Sequence, residues 1–209
     1  MKRIVLALMG LLLLIPMYTE AKNNQLEKAR KKELSQKLKE YKKGKWEIMG
    51  SHTLDFALAN HFDRLNTLGD DAHEIEGIST RTKSKNTGKQ AAINNAVITY
   101  AQEAGSALRG RVMSDINVNG ANTDGEFDNF YAAYERLVEK EIRNEMEHSY
   151  TIIRPNGDGT YEIRSYFIIC ESAASKSRMR ALEEAMKNSE TAQKYGEQIS
   201  KFVKEGFEE

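Results

Sequence analysis

YTIIRPNGDGTYEIRSYFIIC, residues Tyr150–Cys170, is the stretch that decides the fold. Two β-rich runs flank Pro155-Asn156-Gly157-Asp158-Gly159, and that turn chemistry between apolar runs predicts a hairpin. Asn and Gly tolerate the positive φ of a tight turn, which β-branched residues resist. Beyond the turn, Tyr161, Ile163, Phe167 and Ile169 share one face, with Ser165 between them. Glu162 and Arg164 begin the opposite face, but Tyr166, Ile168 and Cys170 continue it, so the far end is expected to be covered on both sides. A lone hairpin is marginal in water, so flanking helices must pack on it.

Those helices are legible outward from the hairpin. Glu126–Met146 presents Phe127, Phe130, Tyr131, Tyr134, Leu137, Val138 and Ile142 at helical spacing. Gln90–Val112 does so with Ile93, Val97, Tyr100, Ala104 and Leu108, and its Ala residues and Gly105 favour close approach to a neighbour. Asn86-Thr87-Gly88 reads as a turn before it, and Ile75–Thr82 as an edge strand with alternate polar positions. Ser51 is the expected N-cap of a helix carrying Leu54, Leu58, Phe62 or His61, Leu65 and Leu68, stopped by Gly69. After the hairpin, Ser172 or Ser175 opens a long final helix, with a break expected near Asn188-Ser189. The fold class is α+β: a small antiparallel sheet, one strand plus a hairpin, packed against long helices. A basic helical N-terminal arm precedes it.

The N-terminus has its own pattern. Lys2-Arg3, the apolar run Ile4–Ile15 and the small residues Thr19 and Ala21 are the three parts of a secretory signal peptide. The apolar run is short of the roughly 20 residues of a spanning helix, although an uncleaved anchor is the alternative. No cysteine lies near the cleavage position, so there is no diacylglyceryl attachment point. The organisation is therefore 1–21 signal peptide, 22–45 basic arm and 46–209 one α+β domain, with an exported product expected in the periplasm or cell envelope.

The 209-residue chain is formally neutral, but its charge is uneven. Residues 22–45 hold ten Lys/Arg against three Asp/Glu, net +7, whereas 46–209 is net −8. A nucleic-acid partner would want a basic body, so none is expected. Asn24–Lys43 reads as a charged helix with a thin stripe of Leu26, Leu34, Leu38 and Tyr41. Its two readings are a solvated spacer and a segment drawn to an acidic partner or anionic surface, with peripheral membrane contact.

GISTRTKSKNTGKQAAINNAVITYAQEAG (Gly77–Gly105) resembles the opening strand, turn and alanine-rich helix of FlgT-like N-terminal domains and related small outer-membrane lipoproteins. The chain as a whole resembles exported proteins of unknown function from Bacteroidota-type bacteria. The resemblance implies a compact module with an envelope-associated binding or assembly role, and it supplies no catalytic residues.

One stretch has metal-ligand spacing. Asp115 to Glu126 fits D-x-[DN]-x-[DN]-G-x5-E between two helices. In such a calcium loop Asp115, Asn117 and Asn119 offer side-chain oxygens and Ala121 its carbonyl, while Thr123 acts through water and Glu126 closes the cation bidentately. There is no second loop and Asn122 stands where an apolar residue is usual, so binding would be weak and confined to extracellular calcium levels; an Asn/Gly-rich linker is the other reading. Apart from this weak calcium, no cofactor is expected. The four histidines are dispersed, with no H-E-x-x-H, nucleophile elbow, P-loop or dinucleotide fingerprint. Cys170, the sole cysteine, reads as a buried inert thiol, and Arg81, Arg109 and Arg111 as anion contacts or ordinary surface charges. The expected function is a non-enzymatic envelope module that binds or assembles with another component. The alternative is a metal-dependent or acid/base hydrolase built on Asp70, Asp71, His73 and His148. The sequence leaves the partner's identity and the oligomeric state open.

Overall fold

A computed structural model describes residues 27–115 and 124–205. The segment 1–21 read as a signal peptide lies outside them. The hairpin forms as its sequence requires: β3 (Glu147–Pro155) and β4 (Tyr161–Cys170) pair antiparallel. Gly157 and Gly159 take the positive φ of the turn, at 84° and 79°. β2 (Ala72–Thr82) pairs with the other side of β4, and a two-residue strand, β1 (Glu47–Ile48), pairs with β3. The sheet is antiparallel in the order β1-β3-β4-β2, so the predicted edge strand is an edge strand.

Helices cover both faces. On one face Ile75, Phe167 and Ile169 meet α3 (Lys85–Asp115), backed by α4 (Asp124–Ile142), α5 (Glu171–Met186) and α7 (Gly196–Glu205). A short α6 (Glu190–Lys194) follows the expected break, with Ser189 as its N-cap. Gly77 on β2 makes the close approach: a Cβ there would run into the carbonyl of Ala92 and the backbone of Ala96 on α3. On the other face Tyr150, Ile152, Tyr166 and Ile168 meet α2 (Leu54–Leu68) and the arm helix, α1 (27–43).

The arm is thus not a solvated spacer over its described length. Tyr41 is 3% exposed, with Leu34 and Leu38 packed alongside it. Full burial of one such side chain contributes about 1.5–3 kcal/mol, against roughly 0–1 for an exposed ion pair, so the apolar stripe decides the docking.

Four local expectations are corrected. Thr53, not Ser51, caps α2, its side chain accepting from the Phe56 N–H at 3.3 Å. Asn86-Thr87-Gly88 is not a turn but lies in the first turns of α3; Gly88 is there because a Cβ would strike Thr82 and Ile163. α4 ends at Ile142 rather than Met146. α5 starts at Glu171, ahead of both serines proposed to open it.

Candidate functional site

The sheet face under α1 and α2 carries a polar seam. His61 of α2 is 1% exposed, and its two ring nitrogens reach different strands. Nε2 lies 2.5 Å from Glu74 Oε2 on β2, and Nδ1 lies 2.9 Å from Ser149 Oγ at the bulge of β3. Lys37 of α1 completes the row, donating to Glu74 Oε1 at 2.9 Å. Burial pushes the Glu74 carboxyl up, but His61 and Lys37 outweigh it and hold the group below the usual carboxylate range. Burial likewise opposes the Lys37 charge, and Glu74 more than compensates, leaving the ammonium above its ordinary value.

Serine, imidazole and carboxylate in contact are the parts of a nucleophilic triad. Here the imidazole is enclosed, with the rings of Phe62 and Tyr150 set edge-on at 5.4 and 5.2 Å. The row joins α1, α2, β2 and β3 at one point, which is a tie between elements.

Neighbouring polar groups are also committed. Tyr41 and Tyr150 share a hydroxyl contact at 3.2 Å, and Tyr166 donates to Glu76 at 2.7 Å. Arg164 bonds both Glu76 and Glu162, and Arg154 bonds Glu162. Burial pushes Glu162 up, but the two arginines prevail and hold it low. Both guanidiniums lie over the Trp46 ring, at 4.6 and 5.0 Å, an arrangement that draws cations to the aromatic face.

On the α3 side, Arg178 is 1% exposed and donates to the Tyr100 hydroxyl at 2.5 Å and to Glu171. Burial alone would raise Glu171; His73 at 3.4 Å and Arg178 bring it down to about 2. The Glu171 bond raises the His73 imidazole above its ordinary value, against a smaller effect of burial. Asp71 Oδ1 accepts from the Ser172 backbone N–H at 3.0 Å, capping α5 from the turn before β2.

The four residues of the hydrolase alternative are not gathered. Asp70 and Asp71 sit in the 3-10 turn Gly69–Asp71, and His73 faces Glu171. His148 is on β3, its Nε2 2.9 Å from Thr151 Oγ1 and its ring against Phe167. Cys170 is half-buried rather than buried, its Sγ donating to Asp71 Oδ2 at 2.7 Å. Arg109 pairs with Asp128 and Arg111 with Glu205, while Arg81 has a positive φ of 54° at the end of β2. Of the calcium-loop residues, Asn117, Asn119, Ala121 and Thr123 lie outside the described residues, as does the Glu126 side chain; Asp115 closes α3. Among the described residues no three His, Cys, Asp or Glu side chains are grouped to hold a metal ion. No described helix is long and apolar enough to cross a membrane.

The far side of α1 is a charged surface that faces outward. With Leu34, Leu38 and Tyr41 turned to the sheet, Lys28, Lys32, Lys39 and Lys43 project from the far side of α1 and are exposed. None of the four has an ion-pair partner among the described residues, whereas Lys31 and Lys42 on its flank pair with Glu27 and Asp55. Sequence reading found the basic segment but not this division into an anchored and a free face. His61 and Ser149 were missed as partners because only the bulge and the docking of α2 bring them together.

No protein-family model, curated protein or solved structure matches this chain.

Proposed function

We propose that this protein is an exported, non-enzymatic module of the cell envelope that works by binding or assembly. The observation that carries the reading is the outward face of α1, where four lysines stand exposed on a helix whose opposite face is fixed to the sheet. The apparent chemistry of the interior points the same way: Lys37, His61, Glu74 and Ser149 link four elements, and Glu171 and Arg178 of α5 reach β2 through His73 and α3 through Tyr100. The N-terminal pattern of Lys2-Arg3, Ile4–Ile15 and Ala21 supports export.

The test is fractionation of cells producing the tagged chain, with N-terminal sequencing of the product. Envelope or periplasmic recovery of a chain beginning near Lys22 is expected. Recovery in the cytosol with Met1 intact overturns the reading, as does turnover of a hydrolase substrate panel that is lost on Ser149→Ala or His73→Ala.

A further inference from the structure

We propose that the outward face of α1 is a contact surface for an anionic lipid bilayer. The inference rests on the envelope reading above and names the partner's chemistry.

At 3.6 residues per turn, Lys28, Lys31, Lys32, Lys39, Lys42 and Lys43 fall within an arc of roughly 140°. The only other residues in that arc are Ser35 and Gln36, so it contains no acid. Glu33 and Glu40 lie on its flank, and Lys37 and Arg30 are turned away, to Glu74 and to Asn66 and the Gly69 carbonyl. From Lys28 to Lys43 the row runs about 22 Å along the helix axis at 1.5 Å per residue. Because the other side of α1 is packed on the sheet, the row is presented as a straight, fixed edge.

Three features favour a bilayer over an acidic protein. Every base in the arc is lysine, a flexible point charge suited to a fluid plane of phosphates; forked recognition of a fixed carboxylate would favour arginine. The arc has no aromatic or aliphatic anchor, and lysine is depleted from protein–protein interfaces that depend on such anchors. Phe56, in the first turn of α2, is a large apolar side chain left 50% exposed. Lys42 Nζ reaches Asp55 Oδ1 at 3.2 Å, which sets Phe56 beside the C-terminal end of the row and neutralises the adjacent acid. A single aromatic beside a basic row suits the headgroup level of a membrane.

The body supports one orientation. Residues 46–209 are net −8 and would be repelled by the same surface, but charges more than about 8 Å away are largely screened at physiological ionic strength. Lysines at the surface act; body acids beyond about 8 Å do not.

The experiment is co-sedimentation of the exported, purified protein with vesicles of 30% phosphatidylglycerol in phosphatidylcholine (by design) and with pure phosphatidylcholine. Binding to the anionic vesicles alone is expected, falling steeply with added sodium chloride. Lys28→Gln, Lys32→Gln, Lys39→Gln and Lys43→Gln together should weaken it on the order of 100-fold or more, taking each surface lysine at its usual contribution. A control with Lys83, Lys176, Lys194 and Lys204 changed to Gln removes the same charge from the body and should bind like the parent. Matching melting temperatures confirm that both variants are folded. Equal loss in the control, unchanged binding in the α1 variant, or tighter binding to polyglutamate than to vesicles overturns the inference. Each of these can occur with export intact, so failure here is separable from failure of the envelope reading.

Discussion

Lys37 Nζ lies 2.9 Å from Glu74 Oε1, so the one lysine that α1 turns inward meets the β2 carboxylate that also holds His61. Both side chains are largely shielded, at 21% and 28% exposure. Removing one partner of a buried pair leaves an uncompensated charge, costing about 3–5 kcal/mol when fully buried. With some solvent access retained, Glu74→Gln is expected to cost about 2–3 kcal/mol, measured by urea unfolding. Lys37→Met with Glu74→Gln should cost less than the two single changes added. Strict additivity would show that the pair is not coupled.

Acid stability follows from Glu171. Its folded pKa, about 2, is below its ordinary 4.5, so its contribution is fully present above pH 4.5. As pH falls from there toward 2 that contribution is lost. His73 has the opposite sign: its pKa is raised above 6.5, so its contribution is complete below 6.5 and is lost as pH rises through the folded value. Melting curves of the parent and of Glu171→Gln should therefore converge at low pH. A constant gap between them across the acid range would exclude this assignment.

Gly77→Ala should be disruptive although alanine is small. The new methyl would meet backbone of α3, which cannot rotate away as a side chain can. Overpacking of this kind costs about 1–3 kcal/mol. Gly50→Ala, where a Cβ meets nothing, is the control and should differ little in melting temperature.

Asp71 caps α5 across 101 residues of sequence. Asp71→Asn keeps an acceptor oxygen and should melt above Asp71→Ala, since Asn and Asp are comparable caps. The Cys170 bond, and after it the Ser172 contacts, hold the Asp71 carboxyl below its ordinary range. The advantage of Asp over Ala is accordingly expected above pH 4 and should fade as pH falls further.

What could be read from the sequence was what repeats locally. Tyr166 and Ile168 announced a second covered face because a strand that is apolar on alternate and intervening positions has no solvent side. The helix stripes were legible for the same reason. Gly88 was misread because a glycine needed for close packing has the same composition signature as a glycine needed for a turn. The structural contacts of Asp71 and His73 were not legible because their partners, Ser172 and Glu171, lie about a hundred residues on. Likewise, His61 and Phe62 both fit the helical stripe of α2; both turn inward, but only the bulge of β3 supplies Ser149 to one of them. β1, two residues long, has no period to detect.

The central claim is that α1 is held on the sheet by its apolar face and thereby presents its lysines outward. Amide hydrogen exchange of the intact protein tests it most directly, because packed helices exchange only through opening. Amides from Leu34 to Tyr41 should be protected on the timescale of β3 and β4, and Tyr41→Ala should strip that protection while the hairpin keeps its own. Exchange of these amides at unfolded rates in the parent protein would contradict the claim.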